Sequence, residues 1–406
     1  MQTKRPFTGI IERLAVAITV TGALFSTAQP TPSLAVPQIP ETLVLESRAA
    51  VERGIGFMMD KQMSSGAWLH SPAITALACM ALHAGEAPKY GVARELSVEK
   101  GRRFVLSNAR KDGAICSEDR SYVNYSTAIC LTALAVLANP KDIEVMRKAR
   151  GFLIGSQLDE DHDEHPTEKG DAFYGGIGYG SGGPTRPDLS NTQWALEALY
   201  LTDFLAREPF SKDPAEAKAA DLAWDKARQF LSAVQNLEQT KSGAWLVTET
   251  KDGGFVYRPD QSKASDKQGQ VETLRSYGTM TYAGLKSMLY AKLEHDDPRV
   301  KAAMEWARKH YTLDENPGMG PEGHFYYLHT FAKAHSALGG DAVVTPDGKQ
   351  HAWRTDLVRK LVGMQKGDGQ WTNDASGRWQ ESMPELVTPY ALICLEIALG
   401  DHLKAK

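Results

Sequence analysis

From about residue 45 onward the apolar positions follow two alternating patterns, and the pair recurs six times. The first pattern is amphipathic. It carries a basic residue, an aromatic or large aliphatic residue, and then Gln or a substitute a few positions later. RGIGFMMDKQMSSGAW from Arg53, KGRRFVLSNARKDGAI from Lys100, RKARGFLIGSQ from Arg147, KARQFLSAVQ from Lys226 and VRKLVGMQKGDGQW from Val358 are copies of it. A looser copy, KAAMEWARKHY from Lys301, fits through Trp306 and Tyr311. The second pattern is a short Ala-rich segment that is apolar nearly all round: SPAITALACMAL, YSTAICLTALAVL, NTQWALEALYL, TYAGLKSMLYA, YYLHTFAKAHSAL and TPYALICLEIAL. A helix apolar on every side belongs inside a protein, and an amphipathic one belongs on its outside. The alternation therefore predicts an all-α (α/α)6 toroid of six helical hairpins, with residues 45–406 forming one domain although the length alone suggests two or three.

The recurring polar residues read as parts of that repeat. The Gln position is held by Gln62, Ala109, Gln157, Gln235, Tyr311 and Gln365. A Gln near the end of an outer helix is expected to bond the orphan amides at the start of the next. Gly66, Gly243 and Gly369 stand two residues before Trp68, Trp245 and Trp371, where a positive φ would turn the chain and the indole would cover the turn. These residues are expected to brace one repeat against the next.

The start of the chain lies outside this pattern. Lys4, Arg5 and Arg13 precede an apolar run, Leu14 to Phe25, and small residues follow at Ser26, Ala28, Ser33 and Ala35. This layout predicts a secretory signal in residues 1–35, cleaved after Ala28 or Ala35, with a linker over 36–44 and an exported, periplasmic or secreted, product. A retained membrane anchor is the alternative. The formal net charge of −4 gives no reason to expect a nucleic-acid partner. Four cysteines in a chain of 406 residues are no disulfide scaffold.

The unit Arg53-Gly54-x2-Phe57-Met58-x3-Gln62-x3-Gly66-x-Trp68 resembles the QW repeat of squalene-hopene and oxidosqualene cyclases, which also appears in protein prenyltransferase β subunits. RPDLSNTQWALEAL, TMTYAGLKSMLY and LVTPYALICLEIAL resemble an exported bacterial group of prenyltransferase/squalene oxidase repeat proteins. The resemblance spans roughly Leu45 to Leu399. It implies the toroid and a hydrophobic, isoprenoid-type small molecule as partner; peripheral membrane contact stays open.

The resemblance does not extend to the chemistry of either family. The D-x-D-D acid of class II cyclases is missing; Asp159-Glu160-Asp161-His162-Asp163-Glu164-His165 lies in a loop instead and reads as a solvated charge run. The D-x-C of a prenyltransferase zinc site is missing too, so no metal and no cofactor are expected. Cys79, Cys130 and Cys394 fall inside apolar segments and read as core, whereas Cys116 lies in a turn.

What remains is a set of polar and aromatic residues where inner helices should open onto a central cavity. Asp188 is the candidate general acid, with a plain N-cap as its alternative. The candidate substrate-binding residues are Asn191, Arg275, Tyr277, Thr281, His324, Tyr326, Tyr327, Trp379, Glu385 and Tyr390. Tyr174 and Tyr179 could fold over the same mouth. His329 reads as a satisfied core histidine, and Glu385 or a ligand phosphate as the partner of Arg275. Three functions fit: an enzyme on a polyprenyl or triterpenoid lipid, an exported binding or scaffold protein without turnover, and, on fold analogy alone, a polysaccharide lyase or hydrolase.

Overall fold

Six of the helices are amphipathic and lie outside: α1 (Glu41–Asp60), α3 (Gly91–Ser107), α5 (Ile143–Gly155), α7 (Pro214–Ala233), α9 (Pro298–Lys309) and α11 (Trp353–Met364). Six apolar ones alternate with them: α2 (Pro72–Ala84), α4 (Val123–Leu137), α6 (Leu189–Leu201), α8 (Gly278–Tyr290), α10 (His324–Leu338) and α12 (Pro384–Leu399). Each inner helix packs against the next, and α12 packs back on α2, so the inner ring closes. The computed structural model describes residues 38–85, 87–163, 165–180, 186–238, 250–264 and 274–403. The expected leader and Trp245 lie outside them. Among the described residues no helix is long and apolar enough to cross a membrane. The first helix starts at Glu41, four residues ahead of the expected domain boundary. A two-stranded hairpin, β1 (Ala342–Val344) and β2 (Gln350–Ala352), is the sole sheet among the described residues and joins α10 to α11.

Starts of the helices are set locally. Ser71, Asp188, Asp213 and Asp297 accept backbone amides of the first turns of α2, α6, α7 and α9, and Pro72, Pro214 and Pro298 follow three of these caps. Inside the ring, Leu77, Leu131, Leu196, Leu285, Phe331 and Leu392 are almost wholly buried. The four cysteines are free and buried, Cys116 included.

The glutamines brace neighbouring repeats, although through carbonyls and not through the expected orphan amides. Gln62 Nε2 donates to the Gly66 and Ser97 carbonyls at 3.0 and 2.9 Å. Gln157 bonds Gly175 and Ala223, Gln235 bonds Gly253 and Arg299, and Gln365 bonds Gly369 and Ala50 in the same way. One bond stays within the repeat and the other reaches the next outer helix, with α11 reaching α1. Tyr311 substitutes with a 3.1 Å bond to Asp356 of α11. Each braced Gly turns the chain against that next helix: at Gly175 (φ +81°) a Cβ would overlap the Lys226 carbonyl. In the fourth repeat the Gly that Gln235 bonds is Gly253, with Phe255 two residues on, and Gly243 and Trp245 lie outside the described residues. Trp68 and Trp371 are fully buried and donate to Met58 and Leu361 at 2.7 and 2.8 Å.

Candidate ligand cavity

The N-terminal ends of the six inner helices surround a cavity of about 640 Å³. One wall is apolar, formed by Ile74 and Leu77 of α2, Ile129 of α4, and Met383 and Leu386 beside and within α12. The lining is also rich in phenols. Tyr122, Tyr125, Tyr179, Tyr257, Tyr277, Tyr326 and Tyr390 all line the space, with Ser126 and Ser190 between them. Glu381 is the one carboxylate lining it among the described residues.

The rim is strained. Leu69, His70, Tyr122, Trp379 and Gln380 line the cavity, and each non-glycine backbone there sits in the left-handed region, with φ between 51° and 65°. Such conformations cost roughly 1–3 kcal/mol each and concentrate where function holds them. Four other described non-glycine residues share this feature elsewhere, so the mouth holds most of them.

Four of the expected site residues line the cavity: Tyr277, Tyr326, Trp379 and Tyr390. Tyr179 joins them, and its hydroxyl meets that of Tyr257 at 3.3 Å. Burial and the neighbouring Asp188 carboxylate push the Tyr179 phenol up to about 12. Asp188 itself stands behind this wall. Its Oδ1 caps α6 by accepting the Asn191 amide at 2.8 Å, and its Oδ2 accepts Asn191 Nδ2 at 2.8 Å. Burial raises its carboxyl to about 6, while bonds from Asn191 and Tyr257 oppose the rise. Asp188 is therefore a cap whose proton is held near neutrality, one layer away from the space.

Other candidates serve the fold. Thr281 accepts the Phe255 amide at 3.1 Å and donates to Tyr277 at 2.9 Å. Thr75, Thr127, Thr192 and Thr388 take the matching amides in four other repeats, so this is a repeat device. Tyr327 is wholly buried and donates to Thr312 at 2.6 Å. A ring nitrogen of His324 bonds the Leu313 carbonyl at 2.9 Å. Arg275 is exposed, and Glu385 is half-buried in the first turn of α12. Tyr174 donates to Glu160 at 3.0 Å within the loop after α5, away from the mouth. That acidic loop is anchored as well as solvated, because Lys226 of α7 pairs with Asp159.

Glu381, four residues before the expected Glu385, is the carboxylate that faces the cavity. Its Oε1 accepts the Tyr326 amide at 2.8 Å and its Oε2 accepts Asn373 Nδ2 at 2.7 Å. Helix α10 has no side-chain cap of its own, since Gly323 precedes it, so Glu381 caps α10 from the following repeat. Burial raises its carboxyl above the ordinary range, and the bonds from Asn373 and the α10 amides oppose that. A carboxylate on a turn between repeats carries no helical periodicity, so sequence reasoning missed it.

A buried ionic group lies deeper, and sequence reasoning missed it too. Glu197 of α6 bonds Lys286 of α8 at 2.6 Å and also pairs with Lys333 of α10. Burial disfavours the Glu197 carboxylate, but the two ammonium groups outweigh this and hold it well below the usual range. Burial lowers the Lys286 amine to about 8 against the pull of Glu197. Lys286 also donates to Gln193 Oε1, and Gln193 Nε2 donates to the Tyr326 hydroxyl at 2.9 Å. His329 packs between Trp194 and Tyr390, with centroids 5.3 and 5.0 Å away, and is kept neutral by burial. Neither of its ring nitrogens has a hydrogen-bond partner among the described residues, so it is core but not satisfied. Among the described residues no three His, Cys, Asp or Glu side chains gather as a metal site.

Neither a protein-family profile nor a curated protein matches the chain. Solved structures do. The GH76A alpha-1,6-mannanase of Salegentibacter sp. HEL1_6 matches at 10% identity over 87% of this chain and 98% of its own, with a TM-score of 0.55. An inactive variant of it, in complex with alpha-1,6-mannotriose, matches at 11% over 88% and 100%, also at 0.55. A variant of the type II terpene cyclase MstE from Scytonema matches at 10% over 89% and 99%, with a TM-score of 0.52. Both are α/α toroids, which agrees with the helical ring seen here; at such identities the likeness is one of fold.

Proposed function

We propose that this protein binds a polyprenyl or triterpenoid lipid in its central cavity, with the apolar chain along α2, α4 and α12 and the polar end toward the tyrosines. The observation that carries the reading is the lining of the 640 Å³ space, which combines apolar side chains with seven phenols. Aromatic faces and hydroxyls together suit a molecule with a long apolar part and a polar end. The toroids that resemble this one have been captured with alpha-1,6-mannotriose in the mannanase and with geranylgeranyl dihydroxybenzoate in MstE. The prenyl class fits this lining better. A glycosidase acts through two carboxyl groups facing the bond it cleaves, and here Glu381 alone lines the space among the described residues.

Binding without cyclisation is part of the reading. Protonating an alkene requires an exposed strong acid, whereas Asp188 is a cap held near a pKa of about 6 behind Tyr257. The basic and apolar start of the chain supports export after cleavage near Ala28 or Ala35, with residues 45–406 as the working domain.

Lipid mass spectrometry tests this on residues 36–406, exported and purified without detergent. A stoichiometric isoprenoid in the extract is expected. An empty protein that takes up alpha-1,6-mannotriose and no added isoprenoid would replace this reading with a carbohydrate one.

A further inference from the structure

Four hydroxyls from four inner helices converge on the cavity floor. Tyr125 comes from α4, Ser190 from α6, Tyr326 from α10 and Tyr390 from α12, and all four line the space. Ser190 Oγ and Tyr326 Oη lie 3.0 Å apart, and the Tyr125 hydroxyl interacts with those of Tyr326, Ser190 and Tyr390. The groups behind them decide which way this cluster points. The Trp194 indole N–H, which can only donate, bonds Tyr125 Oη at 3.0 Å. Gln193 Nε2 bonds Tyr326 Oη at 2.9 Å.

The orientation of Gln193 is fixed as well. Its Oε1 accepts from the Lys286 ammonium, which has no acceptor capacity, so its amide NH₂ must face Tyr326. Both phenol oxygens therefore accept a hydrogen from behind, which leaves their own O–H groups to donate to a neighbouring hydroxyl or to a ligand in the cavity. The cluster holds four hydroxyl hydrogens and receives two more from nitrogen. Among the described residues the ring nitrogens of the neighbouring His329 bond none of these groups. Behind the cluster, one carboxylate, Glu197, faces two ammonium groups, Lys286 and Lys333. The floor thus offers hydroxyl donors backed by two ammonium groups and one carboxylate, with Glu381 a second carboxylate beside Tyr326 and Tyr390.

We infer that Tyr125 and Tyr326, with Ser190 and Tyr390, form a cradle for an oxyanion head, a carboxylate or a phosphate, carried by the apolar ligand. This rests on the reading that the cavity takes an apolar chain, and it names the head group that enters first. Hydrogen bonds to a charged acceptor in a water-poor site are about twice as strong as neutral ones. Preference for an anion over an alcohol of equal chain length is the signature.

The test measures binding of decanoate, decyl phosphate and 1-decanol to the full mature chain at neutral pH by isothermal titration calorimetry. At least one of the two anions is expected to bind about tenfold or more tighter than the alcohol, and which one does so tells carboxylate from phosphate. The double variant Tyr125→Phe/Tyr326→Phe keeps the ring shapes and should lose that preference while its affinity for decanol holds. Should that double variant fail to fold, Gln193→Leu, which removes the donor behind Tyr326, should narrow the preference. Equal affinity for all three probes in the unmodified protein overturns the cradle and leaves the lipid reading standing. A preference unchanged in the variants overturns the cradle alone. Failure of every probe to bind overturns the lipid reading and the cradle together.

Discussion

Asp188 and Glu197 are both buried carboxyls on the same inner helix, yet their protons are held in opposite ways. Asp188 has amide and hydroxyl donors but no cation, so burial wins and its pKa rises from 3.8 to about 6. A carboxyl whose value is raised in the fold contributes a stability that is complete below its unfolded value and is lost as the pH climbs through its folded one. Asp188→Asn keeps an acceptor for the Asn191 amide and cannot ionise. Its stability relative to the unmodified protein should therefore grow by roughly 3 kcal/mol between pH 3.5 and 7.5, read from urea melts at each pH. A flat difference would mean that Asp188 ionises as an ordinary carboxylate. Glu197 has two cations, and the consequence there is an asymmetry between partners. Glu197→Leu leaves two buried ammonium groups facing each other and should cost roughly 3–5 kcal/mol. Lys286→Met leaves Glu197 paired with Lys333 and should cost clearly less. Equal losses in chemical denaturation would show that Lys333 does not act as a counter-ion.

At the level of helices and turns, the repeat is held by a small set of backbone contacts. Gln157→Ala removes two bonds from a residue that is only 2% exposed, and should cost about 1–3 kcal/mol in a thermal or urea melt. An effect within 0.5 kcal/mol would demote the brace to a passive contact. These parts were legible in the sequence because they recur: six amphipathic and six apolar segments gave the ring, and the regular Gln gave the brace. The target of the Gln was misread because helix-start amides are the usual orphans, whereas here the side-chain amide donates to carbonyls. Gly253 and Phe255 were missed because Gly253 stands 18 positions after Gln235, and a sequence lookalike, Gly243 with Trp245, comes first along the chain. Thr281 belongs to the repeat, since four other threonines take the matching amide.

Across the whole molecule, closing the ring is what makes a site. Each inner helix contributes only a few side chains at its N-terminal end, and α12 meeting α2 turns those ends into one enclosed wall. The position of the cavity was legible from the repeat, and so were four of its lining residues: Tyr277, Tyr326, Trp379 and Tyr390. Glu381, Tyr125 and the Lys286–Glu197–Lys333 group were not, since what joins them is spatial proximity between repeats. The apolar wall at Leu77, Ile129 and Leu386 is the part of the cavity that the lipid reading depends on. Native mass spectrometry of the mature chain with geranylgeraniol, alongside a Leu386→Trp variant that fills this wall, addresses that dependence directly. One molecule bound per chain is expected, together with its loss in the variant. Absence of binding to the unmodified chain, or equal binding to both, would contradict it.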